Sequence, residues 1–234
     1  MKVIRALWGD YHDESESRIL RRRRKIDSDV DRIISVSNLM PLSSFQCYVF
    51  GSNNFDMLEA KGFDCVKMSN EPYAFDPEKD TYRNKLECIR QAIYDINPIR
   101  LAELVYLDWD CVPTRSYDFE VCSYQDSELT ANLMYYRAIK CWWRDGDRRA
   151  VPNAGYLHLM GRKVIDEVID CWQEIKDSGH ESQNDEVAIA LWLDKKHKGW
   201  IGTDEYREIY ETENCQLKRK GVFKHDNASF IHYI

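Results

Sequence analysis

Short apolar runs alternate with segments of helical spacing along the first half of the chain. Four runs have the length of buried strands and end at polar or glycine residues: 3–8, 47–50, 63–68 and 103–107. The stretch 14–37 has helical composition, and apolar residues three or four apart mark one helix face over 81–97. The polar residues 51–54 predict a loop after the second strand. Strands that alternate with helices predict an α/β fold with a central mixed, mostly parallel sheet flanked by helices.

The second half of the chain has a less regular pattern. Apolar residues from Val164 to Ile175 form the stripe of an amphipathic helix, and residues 185–193 predict another helix. Aromatic-rich segments between 117 and 159 indicate strands or long loops, and residues 229–233 have extended character. No internal repeat or linker interrupts the pattern, so we expect a single domain over residues 1–234.

The apolar run 103–107 ends in two aspartates, Asp108 and Asp110, that flank one residue. At the end of an extended strand, residues two apart point the same way, so both carboxylates can approach one cation. Buried carboxylates repel each other unless positive charge lies between them, and a hard divalent metal with a phosphate-bearing ligand supplies that charge. The alternatives are a solvated loop or a helix that begins at Asp110.

The composition indicates a folded protein that is neither membrane-spanning nor generally basic. Of the 234 residues, 44% are hydrophobic and 12% aromatic, which is enough to build a core. A net charge of −7 gives no general attraction to nucleic acid or anionic membranes. No apolar run approaches the roughly 20 residues that span a bilayer, and the first residues lack a signal peptide's apolar segment. The eight cysteines are scattered without a C-x-x-C pair, so we expect reduced thiols and a cytoplasmic protein.

The order of several motifs resembles the GT-A (Rossmann-like) fold of nucleotide-sugar glycosyltransferases over nearly the whole chain. Asp108-Trp109-Asp110 stands as that family's Asp-x-Asp motif. The other similar segments are an opening strand that ends at Gly9-Asp10-Tyr11, a basic helix start at 82–86, an Asn-x-Gly strand at 152–159, an acidic helix start at 184–187 and an apolar-His segment at 228–233.

The resemblance implies a metal-dependent hexosyl- or pentosyltransferase. Such an enzyme moves a sugar from a nucleotide-diphosphate donor to a hydroxyl acceptor, which is a glycan, a protein or a modified nucleobase; nucleic acid is expected only as acceptor. Residues 1–112 would bind the nucleotide sugar and residues 113–234 the acceptor. The implied donor contacts are Ala6, Trp8, Gly9, Tyr11, Lys85, Asp108, Asn153 and Gly155. The implied ligands of Mn²⁺ (or Mg²⁺) are Asp108, Asp110 and His232.

The acidic pair Asp185 and Glu186 is the implied catalytic group. In an inverting enzyme one of the two deprotonates the acceptor, and in a retaining enzyme the acidic residue orients the sugar and stabilises its positive charge. A competing interpretation makes Ser182 the N-cap of a helix, with Asp185 in its capping box. His225 competes with His232 as the metal ligand. The basic segment 218–224 could replace the closing element that family members place after this histidine.

Aromatic and basic groups give the remaining candidates. Trp142, Trp143 and Tyr156 are expected acceptor contacts, since rings stack on sugars, although the two tryptophans could equally pack on helices. The run 21–25 is most simply a solvated helix face, and a solvated charge is also the favoured interpretation of Arg83, a second candidate for the donor.

Two other functions compete with sugar transfer. In a haloacid-dehalogenase-like phosphatase, Asp108 would be the nucleophile, but that loop normally lies near the N-terminus, and here three strand signals precede it. A non-catalytic nucleic-acid module would use the run 21–25 and aromatic rings, and it conflicts with the acidic balance.

Overall fold

The computed structural model describes residues 2–9, 17–73, 81–96, 103–114, 129–134, 151–179, 184–196, 215–218 and 229–233. The strands are β1 (Lys2–Leu7), β2 (Phe45–Val49), β3 (Asp64–Lys67), β4 (Glu103–Leu107), β5 (Cys111–Pro113), β6 (Leu129–Met134), β7 (Val151–Met160), β8 (Cys215–Lys218) and β9 (Phe230–Tyr233). The helices are α1 (Ser17–Ser35), α2 (Ser52–Ala60), α3 (Arg83–Asp95), α4 (Arg162–Asp177) and α5 (Asp185–Lys196), with a 3-10 turn at Leu42–Ser44.

The described strands form two sheets. The larger has the order β3-β2-β1-β4-β7-β6, in which β3, β2, β1 and β4 are parallel while β7 and β6 are antiparallel to their neighbours. This arrangement confirms the predicted α/β class with a mixed, mostly parallel sheet between helices. The smaller sheet has the order β5-β9-β8 and was not predicted.

The strands of the large sheet divide the core into two clusters because successive side chains of a strand point to opposite faces. In β1, Ile4 and Ala6 face a cluster that α3, α4 and α5 cover, while Val3 and Leu7 face a second cluster. That second cluster also contains Val30 of α1 and Phe230 of β9. The small sheet therefore packs in the same core as α1, which brings both to the ends of β1 and β4.

Helix α2 corrects the expectation of a loop at 51–54, since the helix begins at Ser52. Gly51 has a φ of 84°, a conformation that glycine adopts without the steric cost of a side chain, and this residue turns the chain from β2 into the helix. The amide of Asn54 then donates hydrogen bonds to the carbonyls of Phe50 (3.1 Å) and Gly9 (2.6 Å). Polar residues that predicted a loop are thus the first turn of a helix.

In the part of the chain that the structure describes, no helix combines the length and the apolar character that crossing a bilayer requires.

Candidate functional site

The ends of two strands bring the predicted metal ligands together. Asp108 and Asp110 follow β4, and the pairing of β5 with β9 places Cys111 opposite His232. His232 therefore lies beside Asp110 although more than a hundred residues separate them. One ligand atom from each of Asp108, Asp110 and His232 lies within 4.8 Å of the others. Carboxylate oxygens with an imidazole nitrogen fit a divalent cation such as Mn²⁺.

Asp110 is engaged on both of its carboxylate oxygens. Oδ1 lies 2.9 Å from Nε2 of His232, and Oδ2 lies 2.9 Å from Nζ of Lys25 on α1. Burial opposes the charge on Asp110, but His232 and Lys25 outweigh it and hold the pKa of Asp110 well below its ordinary value. Burial also opposes the charge on His232, and the carboxylate of Asp110 nevertheless raises the pKa of His232. The carboxylate is therefore ionised, and both of its oxygens are paired with positively charged partners.

Lys85 joins Asp108 to the predicted catalytic helix. Its Nζ lies 3.2 Å from Oδ1 of Asp108 and 2.7 Å from Oδ2 of Asp185, and it donates to the carbonyl of Ala154 at 2.8 Å. Tyr106 donates a short hydrogen bond to the same Oδ1 of Asp108. Burial alone would lower the pKa of Lys85, but the two carboxylates raise it, so the ammonium stays charged.

The Asn-x-Gly segment of β7 packs closely on this centre. Asn153 donates from Nδ2 to Oε1 of Glu186 at 3.1 Å and accepts a bond from the backbone N–H of Gly155 at 3.0 Å. A Cβ atom added at Gly155 would lie 2.1 Å from Cε1 of His232. Glycine is thus required at this position because the imidazole ring occupies the space of a side chain.

Arg5 is a buried residue that contacts the candidate site and that the sequence did not indicate. It lies on β1 with no exposed surface, and it donates to the carbonyls of Asp108 and Cys111, the latter at 2.9 Å. Its guanidinium stacks 4.7 Å from the ring centre of Phe45 and 5.4 Å from that of Trp109. Arg5 thereby holds the turn that presents the two aspartates. A single arginine inside an apolar strand was the available signal.

A cleft of about 250 Å³ lies next to Asp108 and Asp110. Its further lining comes from the end of β1, from α1 and from the start of α3: Ala6, Leu7, Trp8, Arg22, Lys25, Ile26, Asp29, Tyr82 and Trp109. Trp8 and Tyr82 meet edge to face, with ring centres 6.1 Å apart. The indole N–H of Trp8 is buried and has no acceptor among the described residues. The cleft is therefore rimmed by aromatic rings, which commonly pack on the rings of bases and sugars.

Comparison with solved structures identifies the fold. The galactosyltransferase LgtC, in complex with donor and acceptor sugar analogues, superposes with a TM-score of 0.54 at 15% identity, over 100% of this chain and 87% of its own. The glycosyltransferase GlyE of Streptococcus pneumoniae TIGR4 superposes with a TM-score of 0.51 at 14% identity, over 100% of this chain and 55% of its own. The chain has a GT-A-like glycosyltransferase fold. It spans about half the length of GlyE.

No protein-family model and no curated protein matches the sequence. The likeness to these glycosyltransferases is therefore one of fold.

The GT-A fold brings together most of the residues predicted for the site. Ala6, Trp8, Asp108 and Asp110 line one cleft, while Lys85, Asn153, Gly155, Asp185, Glu186 and His232 surround the aspartates through the contacts above. Gly9 lies at the end of β1, where its N–H bonds to Glu71 at 3.2 Å. Their roles toward a donor remain predictions. Tyr11, Trp142, Trp143, Ser182 and His225 lie outside the described residues.

Three expectations need correction. Tyr156 is fully buried and packs on Phe230 with ring centres 6.0 Å apart, so its side chain belongs to the core and presents no surface to an acceptor. Arg83 is also buried. It donates to the carbonyl of Ile169 on α4 at 3.2 Å and pairs with Glu87. The sequence had indicated a solvated charge at Arg83. Its guanidinium instead has partners inside the protein.

The third correction concerns the start of α5. Asn184 is the N-cap of the helix, because its Oδ1 accepts the N–H of Val187 at 2.8 Å, so Asp185 is the first helical residue and not the third, as the predicted capping box required. Asp185 therefore does not have the position in the helix that the predicted capping box gave it. Its Oδ2 pairs with Nζ of Lys85.

Proposed function

We propose that the protein is a metal-dependent glycosyltransferase that moves a sugar from a nucleotide-diphosphate donor to a hydroxyl acceptor. The observation that carries this proposal is the cluster of Asp108, Asp110 and His232 beside an aromatic-rimmed cleft, at the carboxyl ends of the strands of a GT-A fold. Ligands of open α/β sheets bind at this edge.

Three groups of residues around the cleft would each contact one part of the donor: the nucleoside, the diphosphate or the sugar. Trp8 and Tyr82 would receive the nucleoside through their rings. Asp110 and His232, with Asp108, would hold Mn²⁺ or Mg²⁺, which supplies positive charge to the departing diphosphate. The sugar would then face the Lys85–Asp185 pair and Glu186.

The transfer breaks the bond between the anomeric carbon and the phosphate oxygen, and its electron pair leaves with the diphosphate. The acceptor oxygen forms the new bond to that carbon and loses its proton. The carboxylate of Asp185 is already engaged in an ion pair with the buried ammonium of Lys85. Glu186 accepts a hydrogen bond from the neutral amide of Asn153, so it is the better candidate to take the proton in an inverting reaction. In a retaining reaction, the same carboxylate would stabilise the positive charge on the sugar.

Thermal denaturation with UDP, GDP, CDP and ADP, each with and without Mn²⁺, tests the proposal. A ligand that binds only the folded state raises its stability by about 2.7 kcal/mol at one hundred times its dissociation constant. We expect one diphosphate to raise the melting temperature only when Mn²⁺ is present. Asp110→Asn should abolish this shift, because it removes the charge that holds the cation.

Asp31→Asn is the matched control, since Asp31 is an exposed aspartate that pairs with Lys61 and is not among the described residues that line the cleft. It should leave the ligand-induced shift unchanged. If no diphosphate stabilises the protein while Mg²⁺ with vanadate does, the phosphatase with Asp108 as nucleophile replaces the transferase.

A further inference from the structure

Lys25 places a positive charge on the carboxylate that the proposed metal site needs. The cleft face of α1 carries Arg22, Lys25, Ile26 and Asp29, whose spacing puts them on one side of the helix. The Nζ of Lys25 lies 2.9 Å from Oδ2 of Asp110, whose side chain is only 14% exposed, while 65% of the Lys25 side chain is exposed. The ammonium therefore pairs with a mostly buried residue of the cleft, while most of the Lys25 side chain is exposed to solvent.

This contact competes with cation binding. Asp110 offers two oxygens, of which one meets His232 and the other meets Lys25. A divalent cation at the Asp108, Asp110 and His232 cluster adds positive charge directly beside the ammonium, and like charges at contact distance repel. We infer that Lys25 is a tethered cation that neutralises Asp110 before the donor binds and then moves to the donor's diphosphate.

The diphosphate is the partner that the chemistry favours for the displaced ammonium. A lysine ammonium is a compact point charge that binds phosphate oxygens, and its four-carbon stem allows it to move between neighbouring anions. Lys25 lines the same cleft as Asp108 and Asp110, so an anion bound next to the cation lies within its reach. The side chain of Lys25 is 65% exposed, so most of its surface is not buried against the protein when the ammonium pairs with Asp110. This inference rests on the proposed function, because it assigns a phosphate contact within that site.

Two calorimetric titrations of Lys25→Met, a variant that keeps the apolar stem and removes the charge, test the inference. Metal-free protein titrated with Mn²⁺ alone should bind the ion up to about fivefold more tightly than the wild type, because a competing ion pair of this kind contributes little but measurably. Protein saturated with Mn²⁺ should bind the stabilising nucleoside diphosphate at least about tenfold more weakly, because a charge-assisted hydrogen bond is lost.

Tighter binding of Mn²⁺ together with weaker binding of the diphosphate is the result expected when one charge changes its partner. Arg24→Met is the matched control, because it removes one positive charge from an exposed position on the same helix. It should leave both affinities within about twofold of the wild type, as expected for a surface charge in salt. Lys25→Arg keeps the charge and should restore most of the diphosphate affinity.

Unchanged Mn²⁺ affinity or unchanged diphosphate affinity in Lys25→Met overturns the inference, provided that the variant melts as the Arg24→Met control does. A wild-type protein that binds no nucleoside diphosphate with Mn²⁺ would instead defeat the proposed function itself, and the inference with it. The wild-type titration therefore separates the two failures.

Discussion

At the scale of single residues, the absence of one side chain shapes the site. Gly155 gives the ring of His232 its place, since a Cβ atom would lie 2.1 Å from Cε1 and 2.5 Å from Nδ1 of that ring. The backbone of Gly155 does not have the positive φ angle that would itself favour glycine. The constraint is the space alone, and it couples the Asn-x-Gly segment of β7 to the histidine of β9.

Gly155→Ala should therefore displace His232 from Asp110. We expect the variant to lose about 1–3 kcal/mol of unfolding free energy, as overpacked interiors do, and to lose Mn²⁺ binding. Urea denaturation and a Mn²⁺ titration measure the two effects. The double variant Gly155→Ala/His232→Ala removes the ring and should regain most of the stability but none of the Mn²⁺ binding. A stable single variant that still binds Mn²⁺ would contradict this account.

Lys85 presents a second test at this scale because it is a buried charge with two acidic partners. Its side chain is 2% exposed and that of Asp185 is 3% exposed. Lys85→Met leaves Asp185 buried without a counter-charge, which should cost about 3–5 kcal/mol of unfolding free energy. Adding Asp185→Asn removes the uncompensated charge and should recover part of that loss. Equal stability of the single and double variants in urea would show that the pair is not coupled.

At the scale of elements, the start of α5 sets the direction of both predicted catalytic carboxylates. Asn184 caps the helix, Asp185 turns back to Lys85, and Glu186 reaches Asn153. Asn184→Ala should lower the unfolding free energy by about 1 kcal/mol, because the N–H of Val187 loses its acceptor. Asn184→Asp keeps an acceptor and should lose less. The comparison by urea denaturation fails to support the cap if the two variants are equally stable.

Most elements could be predicted from the sequence: α1 from its helical composition, α3 and α4 from apolar residues three or four apart, and the parallel strands from short apolar runs. The start of α2 could not, because Ser52, Asn53 and Asn54 have the composition of a turn and only the fold supplies the acceptors for Asn54. The prediction that Tyr156 contacts the acceptor was wrong for a related reason. Its neighbours Asn153 and Gly155 contact Glu186 and His232, but the ring of Tyr156 packs on Phe230 of β9, a contact between distant segments that the sequence does not show.

At the scale of the whole molecule, the site is assembled from segments that are distant in the sequence. The ends of β1 and β4, the cleft face of α1, the middle of β7, the start of α5 and β9 all contribute. Sequence reasoning found the acidic and histidine members because their chemistry is conspicuous in short apolar segments. It did not find Arg5, and it assigned Lys25 with the rest of the run 21–25 to a solvated helix face, because the contacts of both residues depend on which strand and which helix lie next to the aspartates.

Arg5 also has a consequence for the speed of binding. Its guanidinium fastens the backbone on both sides of the aspartate turn from the interior, through the carbonyls of Asp108 and Cys111. A turn that is already fastened requires no folding step when a ligand arrives, so the rate of association should depend on encounter and on the departure of Lys25. Around the two aspartates, the buried charges of Arg5 and Lys85 therefore stay in place, while the exposed charge of Lys25 can be exchanged.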